Sequence, residues 1–208
     1  PSITALLLKE YSTIKVTSFL GAYDLEEKFW GTYELSNSDI PYVTHCNYNI
    51  ELLNSYYDIE KYRILVMYRS LNVDDFFNKQ KNTNPKLRIN ITYTGKCCRS
   101  KGVYNIINVL LRLHSLNVNF LMNFVGDGPD CIKVANIAKT HNINSNIIFH
   151  GWLDPNGVCD ILKNTDIFLM LSEKASERLP NAVKEAMLSG CYVISSRSKG
   201  IEELVPRG

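Results

Sequence analysis

The chain has 208 residues, 45% of them hydrophobic and 21% charged, and a net charge of +2. That length allows one full domain or two partial ones, and the composition is that of a globular protein rather than a disordered or fibrous one. So small a charge leaves no electrostatic footprint for nucleic acid, and no apolar run reaches the roughly 18–20 residues of a membrane span.

In chain order, IKVTSFLGAYDL (residues 14–25) reads as strand, turn and helix start. IPYVTHC and RILVMYR read as two further strands with a helix between them. NKQKNTNPK (residues 78–86) is polar and has no period, which is how a linker looks. The regularity then sharpens. RINITYTG (88–95), NFLMNFVG (119–126), NIIFHG (146–151), DIFLMLS (166–172) and CYVISSR (191–197) are five apolar runs of strand length. Helical spacing separates them: Val103, Ile106, Ile107, Leu110 and Leu113 share one stripe, and Ile132, Ala135, Ile137 and Ala138 another. VCDILKN and PNAVKEAMLS supply the remaining two helices.

Strands this apolar, alternating with helices, predict an α/β fold with a parallel sheet covered on both faces. The expectation is a doubly wound, Rossmann-like domain over residues 88–208, a linker at 81–87, and the tail of another α/β domain over residues 1–80. A ligand should lie at the carboxyl ends of the strands, where the strand order reverses.

Six cysteines occur, at 46, 97, 98, 131, 159 and 191, with no CxxC pair. Adjacent Cys97 and Cys98 suit neither an ordinary disulfide nor a tetrahedral metal site. Reduced, partly buried thiols are the plain reading, and they point to a reducing cytosol. The chain opens on Pro1 and shows no signal peptide. The closing LVPRG fits both a continuation of IEELV and a protease-cleavage remnant.

SERLPNAVKEAMLSG (176–190) carries two glutamates, Glu177 and Glu185, on either side of Pro180. Proline suits the first position of a helix, so Glu177 falls in a loop and Glu185 inside the helix. At about 1.5 Å per residue, Leu179 and Glu185 stand roughly 9 Å apart along the axis. That is too far for a close carboxylate pair acting on one bond. The helix amino terminus between them attracts phosphate, so the spacing fits a ligand with hydroxyls at both ends and phosphate in the middle. Spacing alone fits a solvated stripe of Asn181, Glu185 and Ser189 and an ordinary loop acid at least as well.

Cations weigh toward a ligand. In GKCCRSKG, Lys96, Arg99 and Lys101 lie on the loop leaving the first strand of the domain, and such loops face the crevice. A solvated basic loop is the competing reading. GDGPD (126–130) follows the next strand and is not a dinucleotide fingerprint, because Pro129 breaks the GxGxxG pattern. Gly126 there serves either a tight turn or the close approach of backbone to a ligand.

Taken in order, GKCCRSKG, FVGDGPD, IIFHGWLD, TDIFLMLS, SERLPNAVKEAMLSGCYVIS and KGIEELV resemble the family 4 glycosyltransferases. These are retaining enzymes of the group 1 type with two Rossmann-like domains, the GT-B fold. The match covers nearly all of residues 88–205, and the glutamate, seven residues, glutamate motif makes it specific. The front half matches more loosely, through KVTSFLGAYDL and RSLNVDDF.

The resemblance implies transfer of a sugar from a nucleoside diphosphate to an acceptor hydroxyl with retention, in surface polysaccharide or glycoconjugate synthesis. It implies catalytic roles for Lys96, Lys101 and Glu177: the two lysines on the diphosphate, Glu177 beside the sugar. It implies donor binding by Gly126, by Trp152, Leu153 and Asp154 near the base, by Leu179, Pro180 and Asn181 through backbone, and by Glu185 on the ribose. The implied partners are a nucleotide sugar, with UDP, GDP and ADP all open, and a glycan or lipid-linked acceptor. No cofactor and no metal is expected, since no DxD-type motif occurs and lysines can take the metal's place. A cytoplasmic location, peripheral to the inner membrane surface, goes with that role.

The chain departs from the family pattern at named positions. Lys96 stands where an arginine is usual, which loses the planar fork. Arg178 stands where a small residue is usual, and Leu20 replaces a loop histidine. The first part of the acceptor-side domain and the closing helix of the family have no counterpart here, so a fragment inactive alone is expected. These departures keep a second reading open, a catalytically inactive nucleotide-sugar-binding or scaffold protein of the same fold.

Overall fold

The computed structural model describes residues 15–21, 36–71, 87–174 and 176–205, together with Ala5, Lys9, Leu25, Thr32, Glu34 and Phe76. Residues 72–75 of the RSLNVDDF segment, residues 81–86 of the expected linker and the last three residues lie outside the described residues. Two compact units result. One comprises Pro1–Ser70, Ala175–Leu179 and Arg197–Gly208, the other Leu71–Lys174 and Pro180–Ser196.

The first unit holds a parallel sheet of three short strands, β1 (Ser18–Phe19), β2 (Tyr42–Thr44) and β3 (Ile64–Val66), in that order. Helix α1 (Tyr48–Tyr57) connects β2 to β3. It ends at Asp58, which takes a left-handed conformation with φ 52° and returns its N–H to the Leu53 carbonyl. A short polar side chain tolerates that region better than a bulky one. Leu20, Ile40, Tyr42, Leu53, Ile59 and Ile64 form its buried core. The Thr44 hydroxyl donates to the Leu20 carbonyl at 2.8 Å and accepts from Asn49 Nδ2 at 2.7 Å, both inside that core.

The second unit is a five-stranded parallel sheet of β4 (Ile89–Thr94), β5 (Phe120–Val125), β6 (Ile147–Gly151), β7 (Ile167–Met170) and β8 (Tyr192–Ser195). The strand order is β6-β5-β4-β7-β8, with every named pair parallel. Each crossover runs through a helix: α2 (Val103–Ser115), α3 (Cys131–Thr140), α4 (Pro155–Lys163) and α5 (Asn181–Leu188). This is the doubly wound order, and the chain reverses direction between β4 and β7.

The helical stripe of α2 buries Val103, Ile106, Ile107 and Leu110 against β4 and β5 residues such as Ile91, Phe120 and Met122. Burying each such side chain is worth about 1.5–3 kcal/mol. On α3 the buried positions are Val134 and Ala138, whereas Ile132 is 76% exposed, so the buried stripe begins two residues later than the sequence pattern places it. At the joint of β4 and β7 the Thr92 and Thr165 hydroxyls meet at 2.6 Å, fully buried. The pairing of β5 with β6 shifts by one residue between Phe124 and Val125, just before the loops that build the site. All six cysteines are free thiols. No helix among the described residues is long and apolar enough to cross a membrane.

Candidate functional site

In a parallel sheet every strand exits at the same end, so the loops after β4, β5, β6 and β7 share one edge of the second unit. Lys96 and Lys101 lie on the loop after β4, Gly126 on the loop after β5, and Trp152, Leu153 and Asp154 on the loop after β6. Pro180 and Asn181 open α5 after β7, and Glu185 lies in its second turn. The lysine loop and α5 therefore flank the reversal of strand order. Glu177, Arg178 and Leu179 group with the first unit and are placed here only by their chain position.

The loop after β4 is held almost wholly by backbone. Cys98 N–H donates to the Lys96 carbonyl, Lys101 N–H to Cys98, and Gly102 N–H to Arg99, at 2.9, 3.0 and 2.8 Å. Residues 99–101 thereby form a 3-10 turn. Gly102 closes the turn at φ 76°, and a β-carbon there would stand 1.7 Å from the Leu171 carbonyl oxygen. The Ser100 carbonyl accepts from Glu173 N–H at 3.0 Å and from the Ser172 hydroxyl at 3.2 Å. Thus the lysine-bearing loop is fastened to the segment leaving β7. Lys96 is exposed and Lys101 half-buried.

Gly126 has φ 121°, and its missing β-carbon makes way for the Gly95 carbonyl, which a side chain would meet at 2.1 Å. Its N–H donates to Gly151 at 2.7 Å. Gly128 accommodates the Cys97 backbone in the same manner. The close approach at GDGPD seen here is loop against loop, which binds three strand ends into one surface. Asp127 completes it by accepting the Trp152 N–H at 3.0 Å, leaving the indole 73% exposed.

Asp154 caps α4: its Oδ1 accepts the Gly157 N–H at 2.8 Å, with Pro155 in the first turn. Its side chain is therefore engaged in the helix terminus. Pro180 departs from the expected position. With φ −66° and ψ 128° it is the cap residue, and α5 starts at Asn181. The Val183 N–H donates to the Pro180 carbonyl at 3.2 Å, so the amides of Asn181 and Ala182 precede the first bond of the helix. Asn181 Oδ1 is buried and accepts no hydrogen bond among the described residues. Burial raises the Glu185 carboxyl above the ordinary glutamate range, with neighbouring Lys184 only partly offsetting it.

Two departures from the family pattern have structural accounts within the first unit. Arg178 is 1% exposed, and its guanidinium carbon lies 4.6 Å from the centre of the Tyr48 ring, a cation–π contact. Gly200, at φ 97°, leaves only 3.3 Å between its absent β-carbon and that of Arg178. Leu20 is completely buried in the core of that unit. The same unit has a cleft of about 520 Å³ lined by Asn47, Tyr48, Glu51, Tyr68, Glu202 and Glu203 among others. Sequence reasoning missed Asp130 and Glu203. Asp130 accepts from Arg99 N–H, Tyr104 hydroxyl and Lys133 ammonium at 2.8, 3.0 and 3.2 Å. Glu203 accepts from the Asn47 and Tyr48 amides, Asn47 Nδ2 and the Tyr68 hydroxyl, all within 3.1 Å.

The chain is 31% identical over 108 residues to N-acetyl-alpha-D-glucosaminyl L-malate synthase of Bacillus anthracis, covering 52% of this chain and 27% of that protein. It is 26% identical over 128 residues to a putative colanic acid biosynthesis glycosyltransferase of Salmonella typhimurium, covering 60% and 32%. The chain spans roughly a third of the length of such curated relatives. Among solved structures, Anabaena HepE, crystallised with UDP and glucose, superposes with a TM-score of 0.76 at 15% identity, over 100% of this chain and 58% of that one. This likeness is one of fold, GT-B. The family profile of the glycosyl transferases group 1 matches residues 74–208, and the chain belongs to that family.

Proposed function

We propose that the protein transfers a sugar from a nucleoside diphosphate to an acceptor hydroxyl with retention, in the synthesis of a surface polysaccharide or glycoconjugate. The observation that carries this reading is the pairing of a lysine loop and an open helix terminus across the reversal of strand order. The colanic acid relative supports the polysaccharide setting.

In this reading the diphosphate lies between the loop after β4 and the amino end of α5. Negative charge grows on its oxygens as the bond to the sugar breaks. Lys96, Lys101 and the first amides of α5 stabilise that charge where it develops, which accelerates the step. Glu185 accepts from the ribose hydroxyls. Glu177 orients the sugar, and the backbone of Leu179, Pro180 and Asn181 meets sugar and phosphate. Trp152, Leu153 and Asp154 meet the base through main chain. Residues 1–80 belong to the acceptor side and residues 88–208 to the donor side, joined by 81–87. The enzyme works in the cytoplasm, peripheral to the membrane surface, on a glycan or lipid-linked acceptor, and needs no metal.

Calorimetric titration with UDP, GDP and ADP tests the donor site. One nucleotide should bind more tightly than the others, and Glu185→Ala should weaken it. Equal, mutation-insensitive binding of all three would remove the donor site. The buried Arg178 favours one competing reading, a donor-binding protein without turnover. Tight nucleotide binding without sugar transfer in the presence of acceptor glycans would select that alternative.

A further inference from the structure

An acid beside a phosphate-binding loop is an odd placement, since it repels the ligand. Asp130 is 8% exposed and stands on the loop after β5, against the lysine loop after β4. Its Oδ2 accepts the N–H of Arg99, the first residue of the 3-10 turn that ends at Lys101. Its Oδ1 accepts from Tyr104 and Lys133. Its own N–H donates to the Cys97 carbonyl at 3.1 Å, and Cys97 N–H donates to the Asp127 carbonyl at 2.9 Å. Three donors thus occupy the carboxylate, and one of its oxygens is given over to the first amide of the turn. Charge-assisted bonds to a backbone amide are the stronger kind, and a turn's first amide has no partner within the turn.

We propose that Asp130 is a positioning residue for the donor diphosphate, fixing the 99–101 turn so that Lys96 and Lys101 present their ammonium groups to the phosphates. The inference rests on the donor-site reading given above. It assigns a role to the residue after GDGP, a position that the motif resemblance leaves without one.

The test compares each nucleoside diphosphate (UDP, GDP, ADP) with its own nucleoside by calorimetry on the full chain. The ratio of the two affinities isolates the phosphate contribution. Asp130→Ala should cut that ratio about tenfold and leave nucleoside affinity unchanged. Asp130→Asn retains an oxygen for the Arg99 N–H and should restore most of the ratio. Thermal unfolding checks that both variants fold. Where Asp130→Ala does not fold, Tyr104→Phe takes its place, with an expected threefold loss in the same ratio.

An unchanged ratio in the folded variant overturns the inference, as does equal weakening of nucleoside and diphosphate. If Lys101→Ala lowers the ratio but Asp130→Ala does not, the donor site stands and the role of Asp130 falls. If the unaltered protein shows no preference for diphosphate over nucleoside, both fall together.

Discussion

The two compact units stabilise their loops by different means. In the second, glycines let backbone bind backbone: Gly95, Gly102, Gly126 and Gly128 bring the strand-exit loops together through amides and carbonyls. In the first, side chains do that work. Glu203 gathers four donors around the start of α1, Arg63 donates to the Ser38 and Ile40 carbonyls, and Asn49 and Thr44 link within the core. A surface tied by main chain leaves its side chains to chemistry, and it is on that surface that Lys96, Lys101, Trp152 and Asn181 stand. Asp127, Asp130 and Ser172 are exceptions to that rule in the second unit, since their side chains bind loop backbone.

The contrast breaks most sharply at Gly102. A β-carbon 1.7 Å from the Leu171 oxygen, at φ 76°, cannot be accommodated without moving backbone. Gly102→Ala should cost about 3 kcal/mol or more, measured by denaturant unfolding. Gly128→Ala, with the Cys97 oxygen at 2.2 Å, should behave alike. Wild-type stability in either variant would refute the backbone account.

Next in size is Glu185. If Glu185 accepts from a ribose as proposed, losing that charged hydrogen bond is worth about 1.5–3 kcal/mol, so Glu185→Gln should weaken nucleotide binding by roughly 10- to 100-fold. The pH dependence follows from burial, which raises this carboxyl in the folded chain. The fold therefore holds the proton more tightly than the unfolded chain, and stability from this group rises as pH falls through the raised value. Under the proposed donor site, nucleotide affinity moves the other way, because a carboxylate accepts the ribose hydroxyls better than the neutral acid. Affinity should decline on acidification at a higher pH than an ordinary glutamate would give, and Glu185→Gln should flatten that profile.

Glu203→Ala probes the first unit. It removes the acceptor for both amides at the start of α1 and should cost about 1 kcal/mol, the usual worth of a cap. The loss should appear as faster amide exchange at Asn47 and Tyr48. Smallest is Asp154→Ala. It removes the cap of α4, again about 1 kcal/mol or less at an exposed site. Nucleotide affinity should hold, since only main chain is assigned to the base there. A marked loss of affinity would put the Asp154 side chain on the ligand.

Much of this architecture is legible in the residues. The five apolar runs of the second half became β4 to β8 within two residues at either end, because a strand buried on both faces has few other solutions. The loops bearing Lys96, Lys101, Gly126 and Trp152 followed from strand ends alone. In the front half the strand around Ser18 is only two residues long, and so short a run carries little periodic signal. Asp130 and Glu203 were invisible. Asp130 reaches Arg99 and Tyr104, 31 and 26 residues away, and the partners of Glu203 lie 135 to 156 residues away, and no local period reports contacts of that range. Arg178 reads as a charged loop residue, and nothing in the sequence points to the Tyr48 ring that its guanidinium meets. Pro180 stands one position before the helix that its residue type would open, because proline serves both as a cap and as a first helical residue.

The exposed indole of Trp152 has a practical consequence. The chain has two tryptophans, and the other, Trp30, lies outside the described residues. Indole emission responds to polarity and to stacked aromatic rings, and the Trp152 backbone is anchored by Asp127 at 3.0 Å. A protein with Trp30→Phe therefore carries a single built-in optical reporter at the rim of its sheet. A base arriving there would quench or shift its light, and nucleotide preference could be read from unlabelled protein in a fluorimeter.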